Sequence, residues 1–406
     1  MSSINPKIVT DGLAFMYDTG SGKSYKGEPT ENIFLNPTFI GTSGTQTSAV
    51  TDNWFFSGYT GDSGFKFYNN STSPFSLKFP NEGSLITTGA NDDSTTENRR
   101  FYCDEGLQAG ATYTVSAWIY TTRTSGLTIA HFEYGGSSLN NGYFSGTSTH
   151  PNHVLGEWYY WEDTYTVGAD YTSGLIGPVH TGSSDTIVGI QRFQIEKKSH
   201  ATPFVNGTRS ATQGLLDLTN TTTINISSAS FDSNAQMTFD GTDDYISLDA
   251  TTDIQAQAVD WTWECWFYVD ADASSYDYLF AYGPPHQIAW YNNQLNAWFN
   301  DIDGTSSYNV EFSSGSNTVP TGQWTHGVIS RIGSSWKMYI NGVEKASASA
   351  SFTVANSSTA PKIGSYDGSQ YFLDGKIASM RIYKGKGFTA EEVLQNYNAM
   401  RGRFGV

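Results

Sequence analysis

Charge is scarce in this chain. Asp, Glu, Lys and Arg make up 15% of its 406 residues, and 22 Lys and Arg stand against 39 Asp and Glu, for a formal net charge of −17. That balance argues against a nucleic-acid partner, because neutralising phosphates needs a basic surface. The same sign argues against adsorption to an anionic membrane. Cysteine is nearly absent. Cys103 and Cys265 lie far apart in strand-like text, so reduced, buried thiols are expected and disulfides do not hold the fold. No apolar run reaches the length of a bilayer span. The opening Met-Ser-Ser-Ile-Asn-Pro-Lys has no apolar core of a secretory leader.

Helical text is also rare. Aromatics reach 15%, with 41 Gly, which favours short strands and turns. The chain is too long for one ordinary core. The expected class is all-β: two antiparallel β-sandwich jelly rolls with one short C-terminal helix. The clearest strand is 261–269. Its odd positions, Trp261, Trp263, Cys265, Phe267 and Val269, form one apolar face. Its even positions, Thr262, Glu264, Trp266 and Tyr268, form a mixed face that tolerates partial solvent. Residues 13–17 alternate in the same way through Leu13, Phe15 and Tyr17.

Further strands are expected at 53–56, 65–68, 75–79, 99–102, 112–120, 128–134, 158–167 and 187–196. A connector with one short strand fills 202–231, paired strands flank residues 240–244, and a closing strand covers 376–383. The helix spans 389–401. Thr389 and Glu392 make a capping box, Val393, Leu394, Tyr397 and Met400 share a face, and Gly402 supplies the C-terminal cap. Two blocks repeat one grammar: 112–120 matches 260–268, and Gly156-Glu157-Trp158 matches Gly322-Gln323-Trp324.

One phosphate-loop fragment is dismissed. Gly22-Lys23-Ser24 lacks the required glycine, since Tyr17 stands there. His150 and His153 have no third ligand, so zinc is rejected. Asp240, Asp243 and Asp244 can offer oxygens to calcium, but their spacing is not an EF-hand loop, and Asp-Gly turn chemistry accounts for Asp240 without a metal.

Phe239-Asp240-Gly241-Thr242-Asp243-Asp244-Tyr245-Ile246 resembles the opening of laminin-G-like, concanavalin-A-like jelly rolls. Gly322-Gln323-Trp324-Thr325-His326-Gly327-Val328, Met338-Tyr339-Ile340-Asn341-Gly342 and Leu373-Asp374-Gly375-Lys376-Ile377-Ala378 extend the likeness to the family's central and closing strands. The first block is similar, more weakly, to carbohydrate-binding-module jelly rolls. Its end, 194–203, and both chain ends, 6–13 and 397–404, resemble tailed-bacteriophage virion proteins.

The resemblance implies three segments: 1–30, a strand of the C-terminal sandwich; 31–205, a carbohydrate-binding-module-like jelly roll inserted after it; and 206–406, the laminin-G-like jelly roll. It also implies a non-enzymatic head- or tail-attached appendage, fibre or decoration protein on the particle surface. Such a protein is made in the host cytoplasm, and the missing leader suits release by lysis. Other virion proteins, further copies of this chain and a host-surface glycan are the expected partners. Such folds hold glycans on exposed rings beside Asp, Asn or Gln. The candidates are Trp118, Tyr120, Trp158 and Tyr160 in the first block, and Trp266, Tyr268, Tyr291 and Trp298 in the second. Alternation turns Tyr160 outward and Asp163 inward. Related glucanases carry Glu-x-Asp-x-x-Glu on one strand. That string is absent, and Glu157, Glu162 and Asp163 are the nearest cluster, so glycan cleavage is only the alternative reading.

Overall fold

The computed structural model describes residues 7–406 apart from 35–36, 40–48, 51–53, 58–65, 69–70, 90–98, 104–106, 109, 123–126, 135–141, 145–153, 167–173, 181–185, 233–235, 272–274 and 302–307. His150 and His153, and the side chain of Cys103, lie outside the described part. The chain forms two compact units: Met1–Pro29 with Ser210–Val406, and Thr30–Arg209. Among the described residues no helix is long and apolar enough to cross a membrane.

The first unit is a sandwich of two antiparallel sheets. One runs Ser230–Phe231, Met237–Asp240, Asp374–Lys384, Trp261–Val269, Trp324–Ile332, Ser335–Ile340, Val343–Ser349, and Leu13–Asp18 also pairs with Asp374–Lys384. The other runs Ile224–Ser228, Tyr245–Leu248, Lys362–Ile363, Asp277–Ala281, His286–Tyr291, Gln294–Phe299, Val310–Ser313. The region read as a connector thus contributes core strands, and Ile224 and Ile226 are buried in them.

Alternation explains the core between these sheets. Trp261, Trp263, Cys265 and Phe267 are fully buried, against Leu279, Ile288, Trp290, Leu295 and Phe299 from the facing sheet. Burying one such ring or branched chain contributes about 2–3 kcal/mol. Two of the indole tips find acceptors: Trp261 Nε1 donates to the Ile254 carbonyl at 3.1 Å and Trp290 Nε1 to that of Val319 at 2.7 Å. The central pairing shifts register between Trp266 and Phe267. Close by, a Cβ on Gly375 would stand 2.0 Å from the Tyr268 carbonyl oxygen, so only glycine fits.

The helix runs Ala390–Phe404 with the capping box of Thr389 and Glu392. Its C-terminal cap is Gly405 at φ 71, not Gly402, so the helix continues one turn further than its glycine suggested. Its buried face is Val393 with Asn396, while Leu394 is 47% exposed.

The Thr30–Arg209 unit has a five-stranded sheet, Trp158–Thr166, Thr112–Thr121, Thr186–Glu196, Ser84–Gly89, Lys66–Tyr68. Its second sheet has six strands: Gly142–Phe144, Leu127–Tyr134, Gly174–His180, Arg99–Cys103, Trp54–Ser57, Ala49–Val50. Val115, Ala117, Ile119, Val188, Ile190 and Trp161 build its core. Four of these strands were not anticipated, one of them the two-residue Ala49–Val50. Gly174–His180 carries Pro178, which reads as a strand breaker but is absorbed where the register shifts between Gly177 and Val179. Ser84–Gly89 is half polar, and Gly142–Phe144 is only three residues. Residues 75–79, expected as a strand, are not one. Phe75 instead stacks on Tyr120 at 3.9 Å.

The ends of this unit are held together. Thr30 pairs with Arg209 and Glu31 with Thr208. Behind them the buried Glu196 accepts hydrogen bonds from Thr30 Oγ1 at 2.5 Å and from the Thr202 backbone N–H at 2.9 Å. Cross-strand partners lie about 5 Å apart, so removing everything between them opens no gap. Replacing Thr30–Arg209 by a short Gly-Ser linker is expected to leave a remainder with one cooperative thermal transition and a near-UV dichroism signal from its buried tryptophans. A remainder that melts without a transition would contradict this.

Candidate functional site

The even face of Trp261–Val269 is not the partly solvated surface its composition suggested. Trp266 is fully buried, because Phe404 of the C-terminal helix stacks on it at 4.2 Å and 14°. Beside it Glu264, also fully buried, organises a polar network. Its Oε1 lies 2.9 Å from His326 Nε2 and 3.3 Å from Arg381 Nη1, and its Oε2 accepts from Asn396 Nδ2 at 2.8 Å. Asn396 Oδ1 in turn accepts the Val9 N–H at 2.7 Å, and the Tyr383 hydroxyl donates to the Val9 carbonyl at 3.0 Å. Burial pushes the Glu264 carboxyl up, but the Arg381 charge and the His326 and Asn396 contacts outweigh it and hold the group at about 2. This charge is locked under a helix, so Trp266 belongs to the packing and not to a ligand face. Tyr268, one row further, is half-buried and meets Trp324 edge-on at 5.7 Å.

The outer face of the seven-stranded sheet is different. Tyr278, Ala289, Asn296 and Ser313 form one cross-strand row, and Ala281, Gln287, Trp298 and Glu311 form the next. Ala281 and Ala289 keep both rows low beside Tyr278 and Trp298. Trp298 is 8% exposed and its Nε1 donates to Glu311 Oε1 at 3.0 Å. Gln287 is fixed by three bonds: it accepts from the Tyr278 hydroxyl at 2.8 Å, donates to the Pro284 carbonyl at 2.9 Å and meets the Tyr308 hydroxyl at 3.1 Å. Tyr276 packs against Tyr291 at 4.6 Å and edge-on to Trp298 at 5.3 Å. Tyr366 and Tyr371 close the far side, 5.1 and 5.8 Å from Tyr278. Burial first, then the neighbouring tyrosines, push the Tyr276 and Tyr278 hydroxyls above their ordinary value, so both remain protonated donors.

Two rings of this cluster are exposed outright, Tyr291 at 36% and Tyr371 at 42%, while Tyr276, Tyr308 and Tyr366 are half-buried. Tyr371 sits at φ 55, a left-handed backbone that a bulky residue adopts at a cost of about 1–2 kcal/mol. The loop before it is prearranged to hold that geometry. Asp367 accepts from Ser369 and Gln370, and Ser365 Oγ donates to the Gln370 carbonyl. Burial raises the Asp367 carboxyl, but those bonds outweigh it and hold its pKa below the usual carboxylate value. Sequence reading found Tyr291 and Trp298 but missed Tyr276, Tyr278, Tyr308, Tyr366 and Tyr371. The one local signal was the spacing of Tyr276, just before the strand Asp277–Ala281, and Tyr278 within it, two residues apart as on one face of extended chain.

In the Thr30–Arg209 unit, Trp118, Tyr120, Trp158 and Tyr160 do form one ladder: Tyr160 opposes Trp118 and Trp158 opposes Tyr120. Residues 71–80 lie across it. Phe75 covers Tyr120, Phe79 meets Trp118 edge-on at 5.9 Å, Lys78 Nζ stands 4.4 Å over Trp118, and Trp158 Nε1 donates to the Ser76 carbonyl at 2.8 Å. Tyr160 is the ring left outermost, at 36%. Asp163 is exposed, contrary to the inward placement expected, and accepts from the Thr164 N–H. It sits near the end of its strand, beyond the stretch where Tyr159 and Trp161 are buried. Glu157 and Glu162 are exposed too.

The carboxylates of Asp240, Asp243 and Asp244 come within 4.8 Å of one another. Asp244 accepts from Ser230 Oγ at 2.8 Å and from the Asp240 N–H at 2.9 Å; Asp240 accepts from the Thr242 N–H at 2.8 Å. These bonds shape the turn at Gly241, φ 74, without a cation. Calcium takes about six to eight oxygens, so three carboxylates of which two are already engaged make a poor cage.

The two packed antiparallel sheets of this unit define a β-sandwich jelly roll. Residues 240–394 match the profile of the Concanavalin A-like lectin/glucanases superfamily. No curated protein matches the chain. Among solved structures it is similar to the sialidase of Trypanosoma rangeli with 2,3-difluorosialic acid, at 12% identity, 46% of this chain, 31% of that one and a TM-score of 0.36. It is similar to the binding domain of Paraclostridial Mosquitocidal Protein 1, at 14% identity, 46% of this chain, 49% of that one and TM-score 0.37. It is also similar to domain 4 of AbnA, a GH43 extracellular arabinanase from Geobacillus stearothermophilus, with arabinotriose, at 21% identity, 46% of this chain, 93% of that domain and TM-score 0.35. The chain thus spans under half of the first two, and values this low transfer no activity.

Acid is expected to weaken the Ser210–Val406 unit in two stages. His286, fully buried, accepts the Ala256 N–H on Nε2 at 3.1 Å and is pushed down by burial to about 3. Its contribution is complete above the ordinary 6.5 and is lost as pH falls toward 3. Glu264 contributes fully above 4.5 and loses this as pH falls toward 2, on the order of 3 kcal/mol at about 1.4 kcal/mol per pH unit. Denaturant midpoints should therefore decline below pH 6.5 and more steeply below 4.5. His286→Gln should flatten the upper stage, and an unchanged slope would contradict the assignment. EDTA should leave the thermal midpoint in place; a drop beyond about 3 °C would show that the acidic turn holds a cation.

Proposed function

We propose that this chain is a non-enzymatic adhesion and structural protein of a tailed-phage particle, and that it holds a host-surface glycan on the outer face of its seven-stranded sheet. The observation that carries the glycan part is Tyr371. An exposed ring is held in strained backbone by a braced loop, on the face that carries exposed Tyr291 and the polar groups of Asn296 and Glu311. Sugar C–H faces stack on such rings while amides and carboxylates bond the hydroxyls. Large flat rings on a rigid sheet favour binding over chemistry, and among the described residues no acid pair converges there for hydrolysis. The lectin-like match of residues 240–394 supports the same reading.

The particle part rests on the resemblance of residues 6–13, 194–203 and 397–404 to virion proteins. On that reading the partners are neighbouring virion subunits and further copies of this chain, and no metal is needed for the glycan. Antibody labelling of purified particles by electron microscopy tests it; absence of label from intact particles would overturn the virion part alone.

For the glycan part, Tyr371→Gly is the sharpest variant. It removes the ring and relieves the backbone strain, so the melting temperature should hold within about 2 °C. Binding to the best ligand on a host-glycan array should fall at least about tenfold, as it should for Tyr291→Ala. An intact signal in both variants would remove this face from the reading. Release of reducing sugar from host polysaccharide would replace adhesion by cleavage.

A further inference from the structure

We propose a second site on the opposite sheet, for a carboxylated sugar. Four rows cross the outer face of the helix-bearing sheet: Ser330–Thr262–Tyr383, Val328–Glu264–Arg381, His326–Trp266–Ser379 and Trp324–Tyr268–Lys376. The C-terminal helix covers the first three, with Asn396 on Glu264 and Phe404 on Trp266. The fourth row lies past its end. There Trp324, Phe404, Lys376, Arg403, Thr19 and Gln236 line a groove of ≈ 490 Å³, the size class of small-ligand pockets.

The chemistry of this groove runs against the rest of the chain. With 22 basic residues against 39 acidic ones, a small anion is repelled by most of the surface. Here two cations share one groove. The neighbouring acid, Asp18, pairs with Arg403 Nη1, while Lys376 makes no ion pair with a described residue. Among the described residues, then, nothing neutralises the second positive charge of the groove. Its walls are ring faces, Trp324 and Phe404 at 4.8 Å and 49°. Its floor includes the buried Met237 and Ile377. Thr19 Oγ1 donates to the Ala378 carbonyl at 3.1 Å, which leaves its oxygen as an acceptor. A bare inorganic anion gains nothing from the ring walls, and a neutral sugar makes no charge pair with Lys376. A pyranose bearing a carboxylate uses both, its C–H face on a ring and its carboxylate on the ammonium.

This site does not depend on the tyrosine face, and its test is chosen to separate the two. Full-length protein is titrated calorimetrically with trigalacturonic acid and a hyaluronan tetrasaccharide, with methyl-esterified trigalacturonate and sodium sulfate as controls. At least one of the two acids is expected to bind with a Kd of about 1 mM or tighter. The ester and sulfate should bind at least about tenfold more weakly, and so should the parent acid to Lys376→Met. Lys376→Met changes a half-buried side chain and should leave the melting curve in place. Trp324→Ala should also lose binding, whereas Tyr371→Gly should bind the acid as the parent does. Binding of neither acid, equal binding of ester and acid, or unchanged binding to Lys376→Met would each overturn the proposal. Loss in Tyr371→Gly with retention in Lys376→Met would place the acid on the tyrosine face instead.

Discussion

One carboxylate under a helix ties the C-terminal unit together. Glu264 belongs to the central strand, Arg381 to the closing strand, His326 to the strand on its other side, and Asn396 to the helix. Through Asn396 and Tyr383 the network reaches Val9, at the other end of the chain. Burying a lone charge is expensive, and the cost is met only while every partner stays in place. Apolar burial alone would let the helix slide on its sheet. A charge that must find three donors at once admits one position, and that position sets where Phe404 comes to rest on Trp266 and how much of the face remains uncovered.

The same alternation that made the strands legible left their two outer faces undecided. In Trp261–Val269 the apolar set was plain because period two and a facing sheet demand it. The even set carried no such demand. Thr262, Glu264 and Trp266 suit half-exposed sheet as well as contact with a helix, and only the buried bonds of Glu264 show which occurred. The capping box of Thr389 and Glu392 was readable from two residues because it is local. The C-terminal cap was not, since Gly402 and Gly405 both fit the pattern and tertiary contact at Phe404 decided between them. In the inserted unit, 75–79 read as a strand on aromatic content, but its rings are spent covering Tyr120 and Trp118. The tyrosine face was the least legible, because its rings come from strands and loops nearly a hundred residues apart and meet only across the folded sheet.

The two faces of the sandwich show how one architecture yields surfaces of different kinds. Both carry rows of aromatic and polar side chains on an apolar layer. On one, the helix seals three rows of four and leaves a short cationic remainder. On the other, no helix of the described residues lies over the tyrosines, and the rings support one another edge to face. Alanines at 281 and 289 keep that surface low, while a braced loop lifts Tyr371 above it. A rigid sheet beneath fixes ring orientation in advance, which reduces the ordering cost of any contact made there.

The antiparallel pairing of Thr30 with Arg209 bears on how the chain is made. Val9 and Asn396, which hydrogen-bond in the finished protein, are 387 residues apart. At roughly 5–20 residues per second the ribosome needs about 20–80 s to bridge them. Through that interval Phe15 and Tyr17, fully buried at the end, have no partner strand. The Thr30–Arg209 unit emerges whole in the meantime, and once folded it holds its two ends side by side. A long floppy tether thereby becomes a compact joint, and the entropy of the late closure falls accordingly. Translation order would then make the insertion an aid to assembling its host domain.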